Sequence, residues 1–450
     1  MIRIALPSRT RSVLLAALGL VTVLTIVISL QQLYRVRTED NFNDFDRWMT
    51  MMPAWMHGSA TYVDDLLPTP PISLFALGPL SALSRSMSHF VWALLKLPFV
   101  CAVFLLSTGI VKRAGVTLSP AALGLIVLCG TLAFVEDIQQ GQVNFLALLP
   151  LAAGLYAAQD ETPAGQIAAG ILIGLGASVK VTPVVFLAYF FWKRRWLVTS
   201  GGIAGIAIGF LAPAVVFGWD RNLRWLIDWT RVMIVPYVRH GTILYGSSQS
   251  VGSFALRLLS ATPAFEIHHE TFEYGYLNVA SLSIDSVRLI VRIAMIAVAG
   301  AGLAWMRRPL ATLRSPRYVL EVGVVAAFML WFSERTWIHH YVSFVLTLSA
   351  AGMVLSDPLV PERRRGVLGA AMIVFLIVTL FTSDLGHVFG RQGIQWVKAA
   401  GVYLWGSVLL VSVMLWAFSA KYLNSLATIP PVRIAAGVSN ASRDVGASRR

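Results

Sequence analysis

AGQIAAGILIGLGASVKVTPVVFLAYFFWKRR, residues 164–195, decides what kind of molecule this is. From Ala164 to Trp192 the only charged residue is Lys180, and Lys193, Arg194 and Arg195 then close the run. Apolar runs of about 17–25 residues bounded by cations cross bilayers as helices. The stretch divides into Ala164–Val179 and Val181–Trp192, the second short enough to be half of a broken helix. Lys180 at the junction is costly, about 2.5–3.5 kcal/mol for a lysine at a helix centre. It is either a snorkelling side chain or the partner of a bound anion, with phosphate the obvious candidate.

The same texture extends over the chain. Of 450 residues, 57% are hydrophobic and 13% charged, and the mean hydropathy is +0.70. A soluble fold of this length must keep far more polar surface in water, at about 25% charged residues. A soluble enzyme, a disordered chain and a disulfide scaffold are excluded, the last because Cys101 and Cys129 stand alone within apolar runs. Further spans are expected at Val13–Leu30, Phe90–Val111, Val116–Val135, Val143–Ala158, Leu197–Phe217, Val287–Met306, Tyr318–Phe332, His339–Leu355, Val367–Thr382 and Ala399–Phe418. About twelve transmembrane helices make an all-α, polytopic membrane protein. Residues 1–420 form one transmembrane domain, and 421–450 are a disordered cytoplasmic tail.

The net charge of +14 fits this topology. With both termini cytoplasmic, alternation puts twenty of the 36 basic residues inside, including Lys193–Arg195 and Arg363–Arg365, with six of the 22 acids. That obeys the positive-inside rule everywhere except the Asp160-Glu161 turn. The excess of cations is a topology signal, and no nucleic-acid partner is expected. Two long loops, 31–89 and 219–286, fall on the outer side, each with an interfacial helix. In the second, Leu223, Leu226, Ile227 and Thr230 share one helical face, and Arg224, Trp225, Asp228 and Trp229 take the others.

Polar clusters gather at these outer ends. Asp44 and Asp46 open the first loop helix; a carboxylate there can take a proton from a hydroxyl, worth roughly 10²–10⁴ in rate, or merely cap the helix. Gln142 and Asn144 follow Gly141 in a turn between spans, either hydrated or bound to a polar ligand. His339 and His340 are adjacent, without the i, i+4 spacing of a helical zinc site, and suit hydrogen bonding or phosphate contact. Gln249 and Ser250 precede a short amphipathic helix carrying Arg257; they either cap it or contact an anionic group. Glu266, His268, His269 and Glu270 read as a solvated loop. A transporter would place such groups at mid-membrane; here they suggest one polar site at the outer surface, fed from the bilayer.

In order, these clusters resemble glycosyltransferase family 87, the polyprenol-phosphate-mannose-dependent mannosyltransferases of GT-C type. The resemblance rests on Asp44-Phe45-Asp46-Arg47-Trp48, Gly58-x3-Tyr62, Pro70-Pro71 with Gly78-Pro79-Leu80, and Gly141-Gln142-Val143-Asn144. It continues through Gly174-x5-Lys180-x2-Pro183, Gln249-Ser250 with Arg257-Leu258-Leu259, and Trp337-x-His339-His340-Tyr341. It covers about residues 13–420. Trp48 stands where the family usually has tyrosine, Ser248 where it has asparagine, and Ser333-Glu334 where it has Ser-Pro.

The resemblance implies an inverting hexosyltransferase in the bacterial plasma membrane, working at its outer face without metal or cofactor. A polyprenyl-phosphate sugar, most simply mannose, would be the donor, and a hydroxyl of a lipid or glycan the acceptor. Asp44 would be the base, with Asp46 beside it as the other candidate; Lys180, His339, His340, Gln142, Asn144, Gln249 and Arg257 would hold the donor's phosphate and sugar. Transfer of arabinose or glucose by the same machinery, or movement of a lipid-linked sugar across the membrane, remain the alternatives.

Overall fold

The computed structural model describes residues 8–40, 42–63, 67–240, 248–268, 272–390 and 392–419. The expected tail, His269 and Glu270 lie outside the described residues. The architecture is a bundle of membrane helices, and the one described pair of strands is an antiparallel hairpin of Phe265–His268 and Phe272–Gly275 in the second long loop.

Helix underlies all twelve expected spans. Six segments are long and apolar enough to cross a bilayer alone: Gly19–Thr38, Arg85–Arg113, Pro120–Gln140, Trp196–Phe217, Ile284–Trp305 and Ile338–Ser356. Gly393–Ala399 and Val402–Ala417, bent by 46°, make a seventh if taken together. The other five are short or more charged: Asn144–Ala157, Pro163–Val179, Val184–Trp192, Pro316–Trp331 and Glu362–Leu380. Local chemistry sets many of their starts. Ser119-Pro120, Thr162-Pro163 and Ser315-Pro316 each put a hydroxyl that caps a backbone N–H just before a proline with no N–H to satisfy. The first helix, Ser8–Thr38, overruns its expected span into the first loop.

Two ends of the bundle are distinguished by their ion pairs. The 29-residue helix Arg85–Arg113 spans about 43 Å at 1.5 Å per residue. At its start, Arg85 pairs with Asp46. At its other end, Arg113 donates to Asp160 at 2.8 Å, while Glu161 accepts from Thr312 Oγ1 at 2.5 Å and from the Leu313 N–H at 3.1 Å. Arg314 and Arg195 also lie within 4 Å of these two acids. The turn that breaks the charge pattern is thus neutralised by arginines of that same end.

Helices Pro163–Val179 and Trp196–Leu211 meet backbone to backbone. A Cβ added at Gly170, Gly174, Gly201 or Gly205 would run into a carbonyl oxygen of the facing helix, the small-residue packing used between membrane helices. By contrast, Leu289, Ile293 and Ile296 of Ile284–Trp305 face outward as an exposed apolar stripe.

The two long loops fold together as a cap on the Arg85 end. Trp55 of helix Asp44–His57 lies 5.2 Å from Trp225 of helix Trp219–Trp229, ring to ring. Trp225 Nε1 donates to the Ala60 carbonyl at 2.9 Å and Trp229 Nε1 to that of Pro68 at 3.0 Å. In the second loop helix Trp225 and Trp229 are buried, while Leu223 and Ile227 are exposed. Tryptophan buries more surface than leucine and also needs a partner for its N–H, which the first loop's carbonyls supply.

Candidate active site

A cavity of about 900 Å³ opens between the cap and the ends of the bundle helices. It is built from distant parts of the chain. Asp44, Arg47 and Trp48 come from the first loop helix, Glu136 and Gln140 from the end of Pro120–Gln140, Gln142 from the turn after it, and Lys180, Val181, Thr182, Val184 and Val185 from the broken apolar run. Trp229 and Val232–Ile234 come from the second loop, Arg335 and Trp337–His340 from the segment entering and opening Ile338–Phe344, and Gln395 and Lys398 from the last bent pair.

Asp44 is the first residue of its helix, and the cap is Asn43. Asn43 Oδ1 accepts from the Asp46 N–H at 2.9 Å, and its Nδ2 donates to the Gln139 carbonyl at 2.8 Å. The helix start is thus pinned to the turn at 139–142. Gly141, at φ +67°, ends the preceding helix in the left-handed region and gives its carbonyl to Trp92 Nε1 at 2.7 Å. A side chain at Gly141 would strike Phe45. With Asn43 doing the capping, the Asp44 carboxylate reaches the cavity, where Arg47 and Gln142 donate to it.

Asp46 has a different place. It is 1% exposed and does not line the cavity; Arg85 grips it at 2.8 and 2.6 Å, and His89 Nε2 lies 3.1 Å away. Burial disfavours its charge, but the hydrogen bonds from Arg85 and His89 outweigh that and hold its carboxyl below the usual range.

Lys180 follows the end of Pro163–Val179 in extended backbone, and its Nζ donates to Asn144 Oδ1 at 2.5 Å. Burial pulls its ammonium down to about 8, against the pull of Asp137 and Asp44. Asn144 stands behind the cavity wall, beside a small void shared with Lys180 and His340. Its Nδ2 donates to Asp137 Oδ2 at 2.8 Å and to the His339 carbonyl at 3.0 Å.

His339 and His340 both line the cavity, their rings 4.5 Å apart. His340 Nδ1 accepts from the Trp337 N–H at 3.0 Å, which fixes its ring. His339 is 5% exposed, and neither ring nitrogen has a hydrogen-bond partner among the described residues. A buried, unsatisfied imidazole beside a cavity is costly unless a ligand completes it.

Gln249 and Arg257 lie outside the cavity lining and are fully buried. Gln249 donates to the Lys398 carbonyl at 2.8 Å and accepts from the Tyr403 N–H at 3.2 Å; Arg257 Nε donates to the Ala399 carbonyl at 2.9 Å. Burial lowers the Arg257 pKa to about 10. These two side chains fasten segment 398–403, the backbone that delivers Lys398 to the cavity.

The structure thus joins Asp44, Gln142, Lys180, His339 and His340 at one cavity, with Asn144 immediately behind and Asp46, Gln249 and Arg257 in supporting positions. Sequence reading did not single out Arg47, Trp229, Gln395 or Lys398 as site residues. Lys398 carried a signal: like Lys180, it is a cation set against an apolar run. No group of three or more His, Cys, Asp or Glu suited to a metal occurs among the described residues. The cavity offers carboxylates (Asp44, Glu136) beside cations (Lys180, Lys398, Arg335), with valines and Phe328 and Phe332 along the same walls. Such a lining can take an amphiphile with an anionic head, and a hydroxyl compound near Asp44.

The family model of glycosyltransferase family 87 matches residues 69–334. A polyprenol-phosphate-mannose-dependent alpha-(1-2)-phosphatidylinositol mannoside mannosyltransferase of Mycobacterium tuberculosis is 22% identical over 400 residues, 82% of this chain and 83% of that one. Its namesake in Mycolicibacterium smegmatis is 24% identical over 399 residues, with the same coverage of each. The crystal structure of ArnT from Cupriavidus metallidurans bound to undecaprenyl phosphate aligns with 88% of this chain and 77% of its own, at a TM-score of 0.36 and 14% identity.

Proposed function

Because this chain belongs to glycosyltransferase family 87, we propose that it is a polyprenyl-phosphate-mannose-dependent mannosyltransferase of the membrane, with the cavity as its active site. The names of its mycobacterial relatives support the donor class. The observation that carries the assignment to this cavity is the meeting of Asp44 with Lys180, His339 and His340 at one lining, from parts of the chain almost 300 residues apart.

The chemistry follows from that lining. The acceptor hydroxyl, on a lipid or glycan, attacks the anomeric carbon from the face opposite the phosphate, so the configuration inverts. Asp44 takes the hydroxyl proton. The bond from anomeric carbon to phosphate oxygen breaks, and its electron pair leaves on the lipid phosphate. That leaving group needs its charge stabilised more than it needs an acid, a task suited to Lys180, Lys398 and Arg335. His339 supplies a buried nitrogen to the sugar or phosphate. Asp46 supports the helix and takes no part in proton transfer. The charge distribution supports placing both termini in the cytoplasm and the cavity at the outer face.

The test is transfer from synthetic polyprenyl-phosphate mannose to membrane lipids and glycans of a deletion strain. Asp44→Asn should lower the rate by about 10²-fold or more, and Lys180→Ala should raise the donor KM. A fully active Asp44→Asn protein would reject this choice of base. Donor crossing the membrane with no new glycosidic bond would identify a transporter instead.

A further inference from the structure

Inside the bundle, behind the cavity, lies a polar chain that the transfer chemistry leaves unexplained. Lys96, in the middle of Arg85–Arg113, and Asp137, near the end of Pro120–Gln140, are 1% and 0% exposed. Lys96 Nζ donates to Asp137 Oδ1 at 2.6 Å and to the Asp137 carbonyl at 2.5 Å. Asp137 Oδ2 accepts from Asn144 Nδ2 at 2.8 Å, and Asn144 Oδ1 accepts from Lys180 Nζ at 2.5 Å. Such a pair contributes little stability of its own, since desolvating two charges offsets their attraction. Its geometry shows another use.

We propose that Lys96 and Asp137 are positioning residues that act through Asn144 to aim Lys180 and seat His339 at the cavity. This rests on the reading of the cavity as a site for a lipid phosphate. The argument turns on the polarity of one amide. A carboxylate accepts only, and an ammonium donates only. Between Asp137 and Lys180, the Asn144 amide therefore has one favourable orientation, with NH₂ toward Asp137 and oxygen toward Lys180. Flipped, it would set its oxygen against a carboxylate and its protons against an ammonium. Lys96 takes up the other Asp137 oxygen, so the second is left for Asn144. In this orientation the amide holds one Lys180 proton, leaving two for an anion. The same NH₂ also binds the His339 carbonyl at 3.0 Å, so the cavity's lysine and its unsatisfied histidine are fixed to one side chain.

The test uses the full chain in detergent micelles, with a polyprenyl phosphate as the probe and the matching polyprenol as control, read by native mass spectrometry. The double variant Lys96→Met/Asp137→Leu removes the pair without stranding a charge, and Asn144→Ala keeps the pair but cuts the link. Both should weaken polyprenyl phosphate binding about 10-fold, as will Lys180→Ala, with polyprenol binding unchanged. Adding Lys180→Ala to either variant should cause little further loss, because a positioning group has nothing left to position. Additive losses, or phosphate binding unchanged in both variants while Lys180→Ala weakens it, would overturn the positioning role alone. Should Lys180→Ala itself leave phosphate binding unchanged, the phosphate reading of the cavity would fall as well. Asn144→Ala keeps the proposal testable if the double variant does not fold.

Discussion

Asp44 and Asp46 stand two residues apart on one helix and do different work. Successive helical residues are 100° apart, so a separation of two sends their side chains to different faces. One faces the cavity and the other faces Arg85 and His89. Asp46→Asn should therefore lower stability, by about 1.5–3 kcal/mol for a lost charged hydrogen bond, and leave the transfer rate of the folded fraction near wild type. Thermal unfolding in micelles beside a transfer assay separates the two effects. Lys180 makes a second prediction. Its ammonium titrates at about 8 while facing Asp137, Asp44, His339 and His340. Its cation is present below that pH and lost above it, so the donor KM should rise as pH passes from 7 to 9. Lys180→Arg should flatten that rise; a KM that rises equally in the variant would remove Lys180 from phosphate binding. At this scale the sequence showed which polar residues sat beside spans. It did not show which would be satisfied by backbone, because the carbonyls that occupy Gln249 and Arg257 come from 142–149 residues away.

Among the elements, the loop helix Trp219–Trp229 was legible in its existence but not in its orientation. Periodicity finds an apolar stripe, but it cannot say whether that stripe meets protein or lipid. Here the tryptophans meet protein. Trp225→Ala should cost about 3–5 kcal/mol as a large-to-small change in a packed site, whereas Leu223→Ala should change the unfolding temperature little. A larger loss at Leu223 would reverse the assignment of faces. The glycine contact between Pro163–Val179 and Trp196–Leu211 allows another test. Gly174→Ala should destabilise by about 1–3 kcal/mol through overpacking. It should also raise the donor KM, because Lys180 rides six residues beyond. Unfolding curves and donor titrations of one preparation check both. Small-residue spacing was visible in the sequence; the helix that receives it was not, since that depends on which spans become neighbours.

For the whole molecule, the all-helical membrane architecture and the two long loops were legible, because a bilayer imposes such runs along the chain itself. The cavity was not, because it is assembled by tertiary contact among at least five segments. The proposed orientation has a direct test in a background with Cys101→Ala and Cys129→Ala. Asp40→Cys, near Arg85, should react with an impermeant maleimide on intact cells. Glu362→Cys should react only after permeabilisation; its helix follows Val345–Ser356, whose Ser356 meets Ser119 at the other end of the bundle. The reverse pattern would turn the molecule over. The buried Lys96–Asp137 pair, finally, bears on how the protein is made. Lys96 reaches the nascent membrane domain 41 residues ahead of its partner. Until Asp137 arrives, its helix bears an insertion penalty of about 2.5–3.5 kcal/mol for a charge in hydrocarbon. Helices Arg85–Arg113 and Pro120–Gln140 therefore gain by leaving the translocon as a hairpin, with their charges joined before either is surrounded by lipid.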